Sequence, residues 1–383
     1  MTRSGPLNGV RVIEIAGLGA APFAAMLLAD LGADVIRVDR PGRSKRADAA
    51  SARDPLLRGR RSIVIDLKRP EGTAIVLRLV KTAEVLIEGF RPGVAERMGV
   101  GPDDCRAVNP RLVYGRMTGW GQSGPYATMA GHDINYIAVA GVLYHLGRAG
   151  ELPAPPLNLI GDMGGGGLLL SLGVVSALLE ARATGAGQVV DAAMVDGAAL
   201  LMTSIYGSFA EGSWTDARGS NLLDSGAPFY DVYETADGGL LSVGALERRF
   251  FEELLRRCGL DPDEWPDRMD RRRWTELRRR LAERFRDKPR DEWCAIFHGS
   301  DACVAPVLSA AEAADDVHNR HRGTFLGLNG VVQPAPAPRF SRTPLEHPRR
   351  PPRFPGEHTD EVLAEIDFDV VDRERLRDVG VVA

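Results

Sequence analysis

The sequence predicts an α/β fold, with a large domain on a parallel sheet and a smaller α+β domain. Three observations carry this expectation. Strand and helix patterns alternate over the first third, a hairpin and charged helices follow from residue 227, and 383 residues allow two cores. The composition, 44% hydrophobic and 26% charged, is that of an ordinary globular chain.

In order, "VRVIEIA" (10–16) reads as a buried strand and "PFAAMLLADLG" (22–32) as a helix stopped by glycine. "DVIRVD" (34–39) and "SIVIDL" (62–67) are strands, and "EGTAIVLRLVKTA" (71–83) has helical periodicity. "EVLIEGF" (84–90) and "RLVYGRMTGWG" (111–121) return to strand. Strands separated by helices pair in parallel. Then "APFYDVYETADGGLLSVGAL" (227–246) reads as a hairpin turning at Asp237-Gly238-Gly239. "ERRFFEELLRRCGL" (247–260) is an amphipathic helix, and 271–287 is a charged helical stretch. The proline-rich 334–359 is an extended strap, and "TDEVLAEI" is a short helix closing the chain. These patterns place the large domain at 1–191 and 336–383 and the small one at 231–320, with linkers at 192–230 and 321–335.

A formal charge of −4 argues against bulk nucleic-acid binding. The four cysteines have neither CxxC nor metal-finger spacing and read as free cytosolic thiols. No signal peptide is visible at the N-terminus. The apolar run Gly164–Leu179, about sixteen residues, is short for a bilayer and suits a buried helix. The expectation is a cytoplasmic protein with no nucleic-acid, membrane or metal partner.

Gly17-x-Gly19 and Asp39 imitate part of a dinucleotide fingerprint, but Pro22 stands where the third glycine belongs. Between Arg37 and Arg61, arginines and lysines outnumber acids, which suits either a solvated loop or a site for phosphates. "AGHDINYIAVAGVL" (130–143) puts His132 and Asp133 at the head of an apolar segment. "NLIGDMGGGGLLL" (158–170) puts Asp162 before four glycines, as a helix N-cap or as a reactive carboxylate beside backbone kept clear for something to approach. Glu247 opens the amphipathic helix, where an acid also suits the helix dipole.

Together the motifs "GHDINY" (131–136), "PLNLIGDMGGG" (156–166), "TGAGQVVDAAMVDG" (184–197), "NLLDSGAPFYDVYETADG" (221–238) and "GALE" (244–247) resemble one family. It is the α-methylacyl-CoA racemase branch of the class III CoA-transferase (CaiB-BaiF) superfamily. "VIRVDRPG" (35–42), "RSIVIDLK" (61–68), "DACVAPVL" (301–308) and "GEHTDEVL" (356–363) extend the resemblance over nearly the whole chain. It implies a Rossmann-like large domain and an interlocked homodimer whose active sites lie between the large domain of one subunit and the small domain of the other. By the same resemblance the catalytic histidine falls on His132, the catalytic aspartate on Asp162 and the glutamate pairing with the histidine on Glu247. Contacts to CoA fall on Arg40, on Val64, Ile65, Asp66 and Leu67, and on the loop Gly131, His132, Asp133, Ile134, Asn135 and Tyr136. The sequence departs from the family at Ala20-Ala21-Pro22, in place of Pro-Gly-Pro, and at Ala186, in place of lysine.

Racemising a 2-methylacyl-CoA needs two acid–base groups on opposite faces of the α-carbon and a donor for the enolate oxygen. His132 and Asp162 suit the first task, and the backbone N–H of Asp133 suits the second. No cofactor is called for, because CoA is part of the substrate. The rival expectation is a CoA transferase in which Asp162 is a nucleophile forming an aspartyl-CoA thioester. A silent CoA-thioester binder and a nicotinamide enzyme are the remaining readings.

Overall fold

A computed structural model describes residues 4–42 and 52–383. Two compact units emerge: Met1–Ala140, Leu157–Leu201 and Arg322–Ala383 form the first, and Gly141–Pro156 with Met202–His321 the second.

The first unit is built on β1 (Arg11–Ile15), β2 (Asp34–Asp39), β3 (Arg60–Val64), β4 (Val85–Glu88), β5 (Val113–Thr118) and β6 (Val189–Ala193). Every pairing is parallel, in the order β3-β2-β1-β4-β5-β6. Strand residues alternate between two cores. Ile13, Ile36, Ile63 and Leu86 face one helical layer, and Val12, Val35, Val85 and Val113 face the other. Helices on both faces explain why these strands read as nearly continuous apolar runs. The strand order reverses between β1 and β4, which opens a crevice at their C-terminal ends.

The second layer rests on the glycine run. Helix Leu159–Leu168 is π-helical and continues as the α-helix Leu169–Thr184. A Cβ on Gly165 would lie 2.6 Å from the Ala198 nitrogen, and one on Gly166 2.9 Å from the Ala20 Cβ. The approach those glycines permit is therefore made by the protein's own helices, Ala20–Asp30 and Met194–Leu201. Ala20 and Ala21, where the sequence departs from the family it resembles, are fully buried in this packing. The continuous helix spans 26 residues and contains an 18-residue stretch with a mean hydropathy of 1.5, so by length and composition alone it could cross a membrane. The helix outruns the sixteen-residue apolar run by five residues at each end, Leu159–Met163 and Glu180–Thr184.

The arginine-rich segment is corrected. Glu14, in the middle of β1, is fully buried and receives Arg37 and Arg60, the latter at 3.1 Å. Arg58 pairs with Asp30 at 2.6 Å, and Arg61 with Asp34 at 2.6 Å. Buried charges require such partners, so these four guanidinium groups serve the interior of the fold and not a phosphate. Arg40 and Arg53 are exposed. Arg43, Lys45 and Arg46 lie outside the described residues.

The second unit holds an antiparallel sheet of β7 (Tyr230–Glu234), β8 (Leu240–Gly244) and β9 (Val304–Pro306). The turn between β7 and β8 uses Gly238 at φ 77°, as the Asp-Gly-Gly signal requires. Helix Arg248–Arg257 buries Phe251, Leu254 and Leu255 on one face, within a core that also holds Trp274, Phe285 and Trp293.

Residues 192–230, read from the sequence as a linker, carry the helices Met194–Leu201 and Thr203–Ala210. Residues 321–335, also read as a linker, contain a hairpin of Phe325–Leu328 and Val331–Pro334. Its turn is Asn329-Gly330 with φ 51° and 76°, the conformation that dipeptide favours. After the strap, helix Thr359–Ala364 is followed by a further helix, Val370–Asp378, capped by the Asp369 carboxylate.

Candidate active site

The crevice at the C-terminal ends of β1, β4 and β5 is a cavity of about 230 Å3 lined by Leu18, Gly89–Pro92, Met117–Trp120 and Ala130–His132. A larger cavity of about 540 Å3 lies within the second unit, between His145, Met202, Trp214 and Leu223. It contains none of the candidate acid–base residues, so size alone does not identify the site.

His132 is the N-cap of helix Asp133–Val139, with an exposed side chain. Its backbone N–H donates to Asn135 Oδ1 at 3.0 Å, and its carbonyl accepts from the Asn135 N–H at 2.8 Å. The side chain is thereby left free of capping work. Behind it, the Tyr136 hydroxyl donates to the Gly131 carbonyl, and the Trp120 ring meets the Tyr136 ring edge-on at 4.8 Å. Gly119 and Gly131 make room for that ring, since a Cβ on either would lie 2.1 or 2.7 Å from it.

Asp162 sits in the first turn of the π-helix, not at its N-cap, which is Asn158. π-Helical turns concentrate at functional sites. The Asp162 backbone N–H donates to Asp133 Oδ2 at 2.7 Å, so one hydrogen bond ties the His132 helix to the Asp162 helix. Asp133 is buried, and its Oδ1 has no hydrogen-bond partner among the described residues. The side chain of Asp133 is thus a tether, a role its sequence position did not suggest.

The Asp162 carboxylate accepts from Asn158 Nδ2 at 3.0 Å. Gly19, at φ 68°, leaves it space: a Cβ there would lie 3.0 Å from Asp162 Oδ2. The Gly17-x-Gly19 turn therefore accommodates Asp162. Burial pushes the Asp162 pKa above the usual carboxylate range; the Asn158 amide lowers it, Asp133 raises it, and His132 lowers it.

Of the remaining candidates, Arg40 follows β2, and Val64–Leu67 span the end of β3, on the same edge of the sheet. Val64 and Ile65 are buried, so only their main chain can meet a ligand. The Asp66 N–H already donates to the Val381 carbonyl at 2.9 Å. Ile134 and Asn135 are exposed. Glu247 lies in the second unit as the N-cap of Arg248–Arg257, exposed and without a capping hydrogen bond.

Sequence reasoning missed Leu18, Asn158 and Arg91. Leu18 is 89% exposed, an apolar residue held out in the turn after β1. Arg91 is an exposed cation lining the His132 cavity. Its signal was its place just past a strand bordering the switch point.

Residues 7–359 match the family described as CoA-transferase family III. The chain is 47% identical to the human alpha-methylacyl-CoA racemase over 94% of both chains. It is also 47% identical to the mouse enzyme of that name, over 94% of this chain and 93% of the mouse one. The fold is similar to a crystal structure of a CAIB/BAIF family protein from Brucella suis, with a TM-score of 0.80 and 27% identity over 95% of this chain and all of that one.

Proposed function

The chain belongs to CoA-transferase family III, and from that premise we propose that it interconverts (2R)- and (2S)-2-methylacyl-CoA thioesters by proton transfer at the α-carbon. The observation that carries this reading is the pairing of His132 with a half-buried Asp162 of raised pKa on two elements joined through Asp133. One base removes the α-proton and the other, protonated, delivers a proton to the opposite face. Burial of Asp162 favours its acid form more than in an ordinary carboxyl. The Asp133 N–H, in a first helical turn where no intrahelical acceptor exists, donates to the enolate oxygen. The reaction uses no cofactor, since CoA enters as part of the substrate. Arg40, the main chain of Val64–Leu67 and the Gly131–Tyr136 loop hold the CoA moiety, with Arg91 adding a cation for its phosphates.

The same proposal makes the protein a cytosolic, interlocked homodimer. Glu247 of one subunit then meets the imidazole of His132 in the other, fixing its tautomer and stabilising the imidazolium. Exposed apolar side chains support self-association: Leu168, Leu172, Leu179, Leu200 and Leu201 are all more than half exposed in the single chain.

The test is deuterium incorporation from heavy water into pure (2R)- and (2S)-2-methylacyl-CoA. Both epimers should exchange and converge on a racemic mixture. Retention of hydrogen and configuration in both would refute the reading. Transfer of CoA to a labelled carboxylic acid, with a hydroxylamine-sensitive thioester on Asp162, would favour the transferase instead.

The pH profile gives a second prediction. Exchange from the epimer deprotonated by Asp162 should rise with pH as that carboxyl ionises. Asn158→Ala removes a donor that stabilises the carboxylate, so the acidic limb should move to higher pH. Asp133→Asn removes a like charge, so the limb should move to lower pH. Identical profiles for both variants and the parent protein would contradict the assignment of that limb to Asp162.

A further inference from the structure

Arg116, on β5, is buried beside the candidate site yet lines no part of its cavity. Its Nε donates to Glu88 Oε1 at 3.0 Å, and its Nη1 meets Glu96 Oε1 at 2.9 Å. Glu88 is the last residue of β4, fully buried, and Glu96 lies in the short helix Val94–Arg97. One guanidinium therefore grips the chain immediately before and shortly after the loop Gly89–Gly93.

The second oxygen of Glu88 accepts the Phe90 N–H at 2.6 Å, fixing the first turn of that loop. Gly93 reverses the chain at φ 79° into the helix that carries Glu96. On its other side the loop is packed tightly, since a Cβ on Gly89 would lie 3.3 Å from the Ala21 Cβ. Between these anchors Gly89, Phe90, Arg91 and Pro92 form one wall of the His132 cavity.

We propose that Glu88, Arg116 and Glu96 form a positioning clamp that holds the loop Gly89–Gly93 so that the exposed Arg91 faces the anionic part of the substrate. The inference rests on the CoA-thioester reading for the identity of that substrate, but the clamp itself is a property of the free protein. A buried guanidinium shared by two carboxylates is a costly feature unless its geometry is used. Its planar fork makes the geometry specific, because a lysine has no second nitrogen to span both acids. None of the three residues touches substrate; they act through Arg91.

The experiment uses the full-length protein and two measurements. The first is amide hydrogen exchange in the peptide covering 88–97 without ligand. Glu96→Gln, which alters only the more exposed acid, should speed exchange there and leave peptides of β1 and β6 unchanged. Arg116→Lys should do the same, and it serves if Glu96→Gln folds poorly. Unaltered exchange in both variants overturns the clamp.

The second is the affinity for CoA and for pantetheine by calorimetry. Glu96→Gln should weaken CoA about fivefold, the scale of a part-exposed ion pair, and leave pantetheine, which lacks the nucleotide phosphates, unaffected. In an Arg91→Ala background, Glu96→Gln should cost nothing further, because the residue it positions is gone. Additive losses, or equal losses for CoA and pantetheine, would overturn the link to Arg91. A parent protein that binds no CoA would refute the substrate reading, while the exchange measurement would still decide the clamp.

Discussion

Replacing His132 by Ala should leave one epimer of a 2-methylacyl-CoA exchanging its α-hydrogen, nearly silence the other, and abolish inversion in both directions. The reason is geometric. A proton removed by Asp162 can return, as deuterium, only from the face that Asp162 serves once the opposite base is absent. Asp162→Asn should give the mirror result, since the amide cannot take a proton although the tether from the residue 162 N–H to Asp133 is kept. Loss at the affected epimer should be about a thousandfold, the usual scale of a positioned general base. Deuterium incorporation followed by chiral analysis of the recovered acid measures both quantities. Equal and mild losses for both epimers in both variants would rule out two bases on opposite faces.

Substituting Gly197 by Ala should be the most damaging change remote from the chemistry. Its Cβ would lie 1.8 Å from the Gly165 carbonyl oxygen, and a Cβ on Gly165 would lie 2.6 Å from the Ala198 nitrogen. Backbone, not a flexible side chain, stands in the way on both sides, so helices Leu159–Leu168 and Met194–Leu201 must separate. The expected cost is about 3 kcal/mol, which lowers the melting temperature by roughly 10 °C in a unit of this size. Because Asp162 lies on the displaced helix, exchange activity should fall as well. An unchanged melting temperature would show that this contact can relax, and that the glycine run serves something else.

Several features were open to two readings until side chains met. The four glycines after Asp162 promised space for an approaching group. Nothing local distinguishes a ligand from a neighbouring helix, because either needs only the absence of a Cβ. Asp162 before glycines suited an N-cap, yet it sits inside a π-helical turn whose N-cap is Asn158. The arginines between residues 37 and 61 looked free for phosphates because their partners, Glu14, Asp30 and Asp34, belong to other parts of the chain. The hairpin at 325–334 is legible from its Asn-Gly turn, although its strands are only four residues each and lie in a stretch that otherwise reads as a linker.

The sequence by itself determined the alternating strands and helices, the parallel α/β class and the family. These depend on local periodicity, on glycine at turns and on long ordered motifs, all of which survive without coordinates. Only the tertiary structure decided that Asp133 serves Asp162 through its carboxylate, that Gly19 makes room for the Asp162 oxygen, and that Arg91 stands on the cavity wall. Those relations join residues far apart in the chain, and their energies depend on distance and burial. A residue type and its spacing carry neither quantity.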